Sequence, residues 1–583
     1  MITQLRPALL LALTLTPLAP KLGAESLVLA PCPLPGGAET ARCGTYEVFE
    51  NRQLQQGRKI PLKLIVLPAL GPSREPDPLV YFAGGPGDGA TGAAGAFAQG
   101  FASIRETRDI VLIDVRGTGD SRALVCDAMM GATGAQKFLD DFLPVDAVEA
   151  CRRQWENQAD FRHFTTHELV DDVAEILRAL GYPRANLFGG SYGTRAAQAF
   201  AQRHPGQTRT MILEGVVGAD DRMPLQVARD AQNALDGWLA ECAADTACHA
   251  AFPRLGEEFA AVLERLRRQP VEVTALDPET GKRVPLRLSD KGFGQTVRYM
   301  LYLPTTSLVL PLYIHLAAAG DFGPLADTAY LFATRLSGAN FADGLYLSVL
   351  CAEDVPFIDP AEIPEAVRGT FLGDFRIARQ RAACDVWPAK KLGRDALTPL
   401  RSDVPTLLLS GERDPVTPAR VGTAVARGLS RSLHLVVPDG AHSFEGLSGA
   451  DECLSGLTAR FIAAGGVEGL DVSCVGKIER PPFLLAMERP ADITLTAEEL
   501  QRLVGSYRGL GEAPTPVAVI DGQLRMTAPD GVGYVLLPIT KTRFAIAGAP
   551  PGFIVEFRED PSGKVTGCTV EQGPARRTEL VKE

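Results

Sequence analysis

The chain has 583 residues, of which 46% are hydrophobic and 22% charged, with a formal net charge of −11. That length exceeds one ordinary domain, and the composition is that of a globular protein. The acidic balance, with no basic stripe, gives no electrostatic reason to expect nucleic acid or an anionic membrane as partner.

Residues 1–24 read as a signal peptide: Arg6 precedes an apolar run that ends in small residues around Ala19 to Ala24. A membrane-spanning helix needs about 20 apolar residues, and Pro17, Pro20 and Lys21 interrupt this stretch. Export to the periplasm or medium is therefore expected. The eleven cysteines fit an oxidising compartment. Taken as neighbours they pair as Cys32–Cys43, Cys126–Cys151, Cys242–Cys248, Cys351–Cys384 and Cys453–Cys474, leaving Cys568. Spacing alone does not prove that connectivity, and scattered buried thiols are the plain alternative. No Cys/His cluster has zinc spacing, so neither a metal nor an organic cofactor is expected.

Residues 25–215 are read as the first part of an α/β core. "DPLVYFAGGPG" and "RDIVLIDVRGTGDS" are strands running into glycine turns, and their continuous apolar character suggests a parallel sheet covered on both faces. "TTHELVDDVAEILRALG" predicts a helix: Thr165 and Glu168 form a capping-box pair, Leu169, Val173, Ile176, Leu177 and Leu180 make one face, and Gly181 ends it. "ANLFGGSYGTRAAQAFAQ" is a strand, a glycine-flanked serine and a second helix, and "RTMILEG" is a further strand. Residues 216–402 predict a helical cap, with amphipathic stretches and no strong parallel-strand pattern. Strand signals return over 403–475 with "DVPTLLLSGERDPVTP" and "RSLHLVVPDGAHSF". Residues 476–492 read as a linker, and 493–583 as a small β-rich domain with hairpin signals at Asp521-Gly522 and Ser562-Gly563.

A serine nucleophile needs a base, an orienting acid and oxyanion donors. Of seven histidines only His442, in a loop just after a strand, follows Ser191 in the order an α/β hydrolase requires. Between them, "TLLLSGERDPVTP" offers Glu412 and Asp414, and Asp414 is preferred because the turn at Gly411 carries it beyond the strand tip. The oxyanion donors would be the backbone N–H of Tyr192 and one from the GGPG turn, Gly84 or the favoured Gly85. Gly87, Gly89 and Gly92 also spell a dinucleotide fingerprint, which is rejected as a lone match whose turn already serves the serine site.

With these residues in place, "FGGSYGT", "DVRGTGDS", "YFAGGPG" and "LLLSGERDPVTP" together resemble the proline-iminopeptidase and tripeptidyl-aminopeptidase branch of the α/β hydrolases. "ILEGVVGAD" and "ECLSGLTARFIAAGGVEGLDVSC" extend the resemblance, the latter to the terminal region of secreted tripeptidyl aminopeptidases with its two cysteines. It covers about residues 40–475 and is thin across the cap. It implies a triad of Ser191, Asp414 and His442, with Gly85 and Tyr192 in the oxyanion hole. Relatives often have histidine where this chain has Ala83. "SVLCAEDVPF" resembles a segment with an acid two residues after the cysteine, which nominates Glu353, with Asp354 and Glu214 behind it, to bind a substrate ammonium group. The tail's "LVGSYRG" and "DGQLRM" resemble a β-rich domain appended to some bacterial serine hydrolases. The expected function is an exported serine aminopeptidase acting on short peptides. The alternatives are a carboxylesterase or other acyl hydrolase with the same triad, and a non-catalytic binding protein on a hydrolase scaffold.

Overall fold

A computed structural model describes residues 27–34, 40–336, 341–491, 493–510, 514–528, 533–573 and 576–583. The expected signal peptide lies outside these residues. Short apolar runs build the centre: β1 (Ala30–Pro33), β2 (Thr40–Phe49), β3 (Lys59–Leu67), β4 (Leu79–Phe82), β5 (Ile110–Ile113), β6 (Ala185–Gly190) and β7 (Thr208–Glu214). A hairpin of β8 (Val271–Leu276) and β9 (Arg283–Leu288) stands apart, and β10 (Thr406–Gly411) and β11 (Ser432–Val437) return to the sheet. The nine-stranded order is β1-β2-β3-β5-β4-β6-β7-β10-β11. β1, β2 and β3 pair antiparallel, as do β3 and β5, while every pairing from β5 across to β11 is parallel. Every residue of β5 and β10 is buried, which is why their sequences are continuously apolar rather than alternating. The sheet places the C-terminal ends of β4, β6, β7 and β10 side by side, the position where open α/β sheets build their sites.

The helix Thr166–Ala179 buries Leu169, Val173, Ile176 and Leu177 against this sheet. Its Thr165 side chain accepts from the Glu168 N–H as the sequence predicts. Asp172 on this helix is fully buried and takes two bonds from the buried Arg116, Nε at 2.7 Å and one terminal nitrogen at 2.9 Å. Arg116 belongs to "DVRGTGDS", so this motif serves an internal charge pair that locks the loop after β5 to the helix.

Between β7 and β10 the chain forms a cap whose main helices are Val227–Ala244, Leu255–Arg268, Asp290–Met300, Leu310–Ala318, Gly323–Leu336 and Phe375–Val386, plus the β8–β9 hairpin. Helices Gly131–Asp141 and Val145–Trp155 come from the earlier part of the chain, yet they pack on the cap helices. Their apolar faces, with Phe138, Leu139, Ala147 and Val148, join the same hydrophobic cluster as Phe293 and Tyr299. The polypeptide order across 25–215 therefore does not coincide with the spatial layer.

The five neighbouring cysteine pairs are bonded as disulfides. The 478–491 stretch is extended but anchored. Phe483 meets Trp238 edge-on at 5.8 Å, the Leu484 N–H donates to Leu308 O, and Arg480 pairs with Glu241. Beyond it, eight antiparallel strands between Gly505 and Lys582 close into a barrel. Its interior is filled by side chains such as Tyr507, Phe544, Val555, Phe557 and Leu580. Closure pairs the first strand with the last and leaves no free sheet edge. Cys568 sits in this interior, where burial pushes its thiol up to about 12, so it is a packing residue with no thiolate chemistry at neutral pH.

Candidate active site

β6 ends at Gly190, and Ser191 turns the chain directly into the helix Tyr192–Arg203. Ser191 has φ 54° and ψ −123°, a backbone region that costs a non-glycine residue about 1–3 kcal/mol. Three bonds hold it there: its N–H donates to Glu214 O at 2.8 Å, and its carbonyl accepts from the Thr194 N–H and the Thr194 hydroxyl. The flanking glycines of G-x-S-x-G have a steric reason. A Cβ at Gly193 would collide with the Phe82 carbonyl, and one at Gly189 with the Gly193 carbonyl. Gly193→Ala is therefore expected to abolish soluble expression, checked by soluble yield against the wild type.

The His442 loop after β11 and the Asp414 loop after β10 meet at this turn. His442 Nε2 lies 2.9 Å from Ser191 Oγ, and His442 Nδ1 lies 2.9 Å from Asp414 Oδ2. Asp414 is buried, and its other oxygen accepts from the Val416 and Thr417 N–H groups at 2.7 and 2.9 Å. Burial alone would push this carboxyl up. The charge and hydrogen bond of His442, with the Thr417 bonds, reverse that and hold it below the usual carboxylate range. The Thr417 hydroxyl, 2.6 Å from Asp414 Oδ2 and 3.1 Å from His442 Nδ1, is a positioning group the sequence reading missed. Nothing but its place three residues after Asp414 could have signalled it. With Nδ1 donating to Asp414, Nε2 is left to accept the Ser191 proton.

The turn after β4 lies beside the serine: a Cβ at Gly84 would stand 3.4 Å from Ser191 Cβ. Gly85 follows it, and Tyr192 opens the helix behind Ser191, where the N–H groups have no intrahelical acceptors.

A cavity of about 480 Å³ opens over Ser191 and His442, roofed by cap aromatics including Phe138, Tyr299, Tyr302 and Tyr346. Glu214 and Asp88 line it. Among the described residues neither side chain has a hydrogen bond or ion pair. Burial raises both carboxyls, that of Glu214 to about 7 despite the opposing charge of His442. Asp88 was not foreseen, although it directly follows the GGPG turn.

Glu353 does not join them. It is buried outside the cavity, with one oxygen 2.6 Å from the Thr166 N–H and the other 2.6 Å from the Thr166 hydroxyl. It satisfies the first free N–H of the helix Thr166–Ala179, and the same hydroxyl lies 2.6 Å from the Tyr192 hydroxyl. Asp354 is likewise engaged, taking both contacts of the buried Arg195 terminal nitrogen at 3.0 and 3.1 Å. Of the three acids nominated from sequence, Glu214 lines the 480 Å³ cavity, Asp354 borders a smaller pocket of about 80 Å³ that also touches Ser191, and Glu353 lines neither.

Fold and site together define a serine hydrolase of the α/β-hydrolase class. Residues 77–307 match the family described as alpha/beta hydrolase fold, and residues 370–474 match the one described as TAP-like protein. The chain thus carries an α/β-hydrolase fold followed by a TAP-like region, and relatives named for tripeptidyl-aminopeptidase and proline-iminopeptidase activity are similar to it. It is similar to "Serine protease Hip1" of Mycobacterium tuberculosis, 26% identical over 493 residues that span 76% of this chain and 90% of that protein. "Tripeptidyl aminopeptidase" of Streptomyces coelicolor is 24% identical over 473 residues, 74% of this chain and 83% of the relative. "Proline iminopeptidase" of Xylella fastidiosa is 43% identical over 58 residues, 10% of this chain and 18% of the relative. The chain is thus serine-protease- and aminopeptidase-like.

Proposed function

We propose that this protein is an exported serine aminopeptidase that releases short N-terminal units from peptides. Ser191 Oγ attacks the scissile carbonyl as His442 Nε2 takes its proton, and Asp414 stabilises the imidazolium that forms. The N–H groups of Gly85 and Tyr192 receive the oxyanion. His442 then protonates the leaving amine, and water hydrolyses the acyl-enzyme by the same route. Aminopeptidase names among the relatives and five disulfides support a peptidase working in an oxidising compartment.

The observation that carries the reading is the pair of unpartnered carboxylates, Asp88 and Glu214, in the covered cavity over Ser191. Glu214 is half-buried and Asp88 is exposed to the cavity, and a carboxylate set among apolar walls without a counter-charge favours an arriving cation. A peptide's α-ammonium is such a cation, and a blocked N-terminus is not. Glu214→Gln and Asp88→Asn should each raise KM for free-amine peptides about 10- to 100-fold, while N-acetylated peptides remain poor substrates of both forms. The pH dependence has a defined sign. A carboxyl titrating near 7 is neutral below that pH, so ammonium binding weakens as pH falls through 7. KM for free-amine peptides should rise over that interval in the wild type, with the rise absent in Glu214→Gln.

Mass spectrometry of products from a mixed peptide pool tests the whole proposal. The expected result is removal of one to three residues from free N-termini only. Hydrolysis of acyl esters with no turnover of free-amine peptides would overturn it in favour of an esterase.

A further inference from the structure

The cap wall of the same cavity carries two arginines, Arg298 on the helix Asp290–Met300 and Arg376 on the helix Phe375–Val386. They are 1% and 5% exposed. Among the described residues neither has a carboxylate partner. Arg376 meets Gln380 at 3.4 Å, the Tyr299 hydroxyl at 3.5 Å and the Tyr346 hydroxyl, all neutral groups, and its guanidinium stacks 3.5 Å from the Phe142 ring centroid. Arg298 lies 5.4 and 5.0 Å from the Tyr299 and Tyr302 rings, and its Nε has no hydrogen-bond partner. An arginine stays protonated in a protein. Aromatic faces offset part of its desolvation, but two buried cations on the cap wall, neither ion-paired to the Asp88, Glu214 or Asp343 carboxylates that line the same cavity, leave that wall locally positive.

We infer that Arg298 and Arg376 form a carboxylate-binding subsite that selects substrates bearing a negative charge a short, defined distance from the scissile bond. The inference rests on the reading of Ser191 as nucleophile. The distance follows from the intervening ring. The Arg298 guanidinium lies 5.0 Å from the Tyr302 ring, which is itself 5.2 Å from the His442 imidazole. No more than about 10 Å thus separates imidazole and guanidinium, and an extended peptide covers roughly 3.3–3.6 Å per residue. The carboxylate therefore falls within about three residues of the scissile carbonyl. Two sources share that chemistry: the C-terminal carboxylate of a short peptide, or a Glu or Asp side chain within a longer one. The planar fork of each guanidinium matches a carboxylate edge.

The test compares kcat/KM for tetra-alanine as the free acid, as its C-terminal amide, and as an amide with glutamate replacing one alanine. In the wild type one of the two carboxylate-bearing peptides should exceed the neutral amide by about 10- to 100-fold. The winner identifies the source of the charge. Arg298→Gln and Arg376→Gln should each bring that ratio to within about threefold of one, and Arg376→Lys should keep part of it. Because each ratio is taken within one variant, a lower folded fraction cancels. A wild-type ratio near one for both acidic peptides, or a ratio unchanged in both glutamine variants, overturns the subsite. If no peptide is cleaved, the aminopeptidase reading fails separately. The subsite is then read from p-nitrophenyl hydrogen adipate against p-nitrophenyl hexanoate, with the same expected ratio and the same overturning result.

Discussion

Ser191→Ala should lower kcat by about 10⁵- to 10⁶-fold, the effect of deleting the nucleophile from a preorganised triad. The size follows from the geometry. The strained turn, the two 2.9 Å contacts through His442 and the buried, fourfold-anchored Asp414 are all built around one oxygen atom. Because the three side chains act as a unit, Ser191→Ala combined with His442→Ala should be scarcely slower than either alone. Labelling by a fluorophosphonate probe should disappear in Ser191→Ala, while the thermal transition stays close to that of the wild type. Residual kcat above about one hundredth of the wild type would contradict the assignment.

The second large effect concerns stability. Asp354→Ala should destabilise the protein by about 3–5 kcal/mol, because it leaves the Arg195 guanidinium buried without its counter-charge. Arg195 sits one turn into the helix that begins behind Ser191 and also donates to the Gly218 and Asp221 carbonyls. Asp354 comes from the cap segment next to the Cys351–Cys384 disulfide and also accepts from the Met223 N–H. The pair therefore ties the cap to the nucleophile helix, and its loss should lower the denaturation midpoint and activity together. Replacing both partners with apolar residues, as Arg195→Met with Asp354→Leu, should recover most of the stability, since no unpaired charge remains. A double variant as unstable as Asp354→Ala alone would show that the pair is not the source of the loss.

Ser191, Asp414 and His442 could be found in the sequence because each occupies a strand-end turn with a local signature. Such turns carry glycine, proline and short apolar runs for backbone reasons that act over a few residues. Thr417 and Asp88 share those turns but have no pattern of their own that marks a role, and Asp343 lies outside them. Asp343 lines the same cavity and accepts from the Cys126 N–H, and burial pushes its carboxyl up to about 7. An isolated acid among 70 looks the same whether it faces solvent, a helix end or a substrate. Glu353 shows the converse: its place after Cys351 suggested a ligand-binding acid, and only the arrival of the helix starting at Thr166 turned it inward as that helix's anion.

The sequence by itself determined the parallel order of the core, the serine turn and the later positions of its two partners. Each depends on local periodicity, on turn chemistry or on chain order. The tertiary structure alone decided which acids face the cavity and that helices 131–155 belong with the cap. It also decided that the tail closes into a barrel, and that two arginines more than seventy residues apart share one apolar wall. Those features arise from contacts between distant segments, whose side chains acquire their electrostatic meaning only from what packs against them.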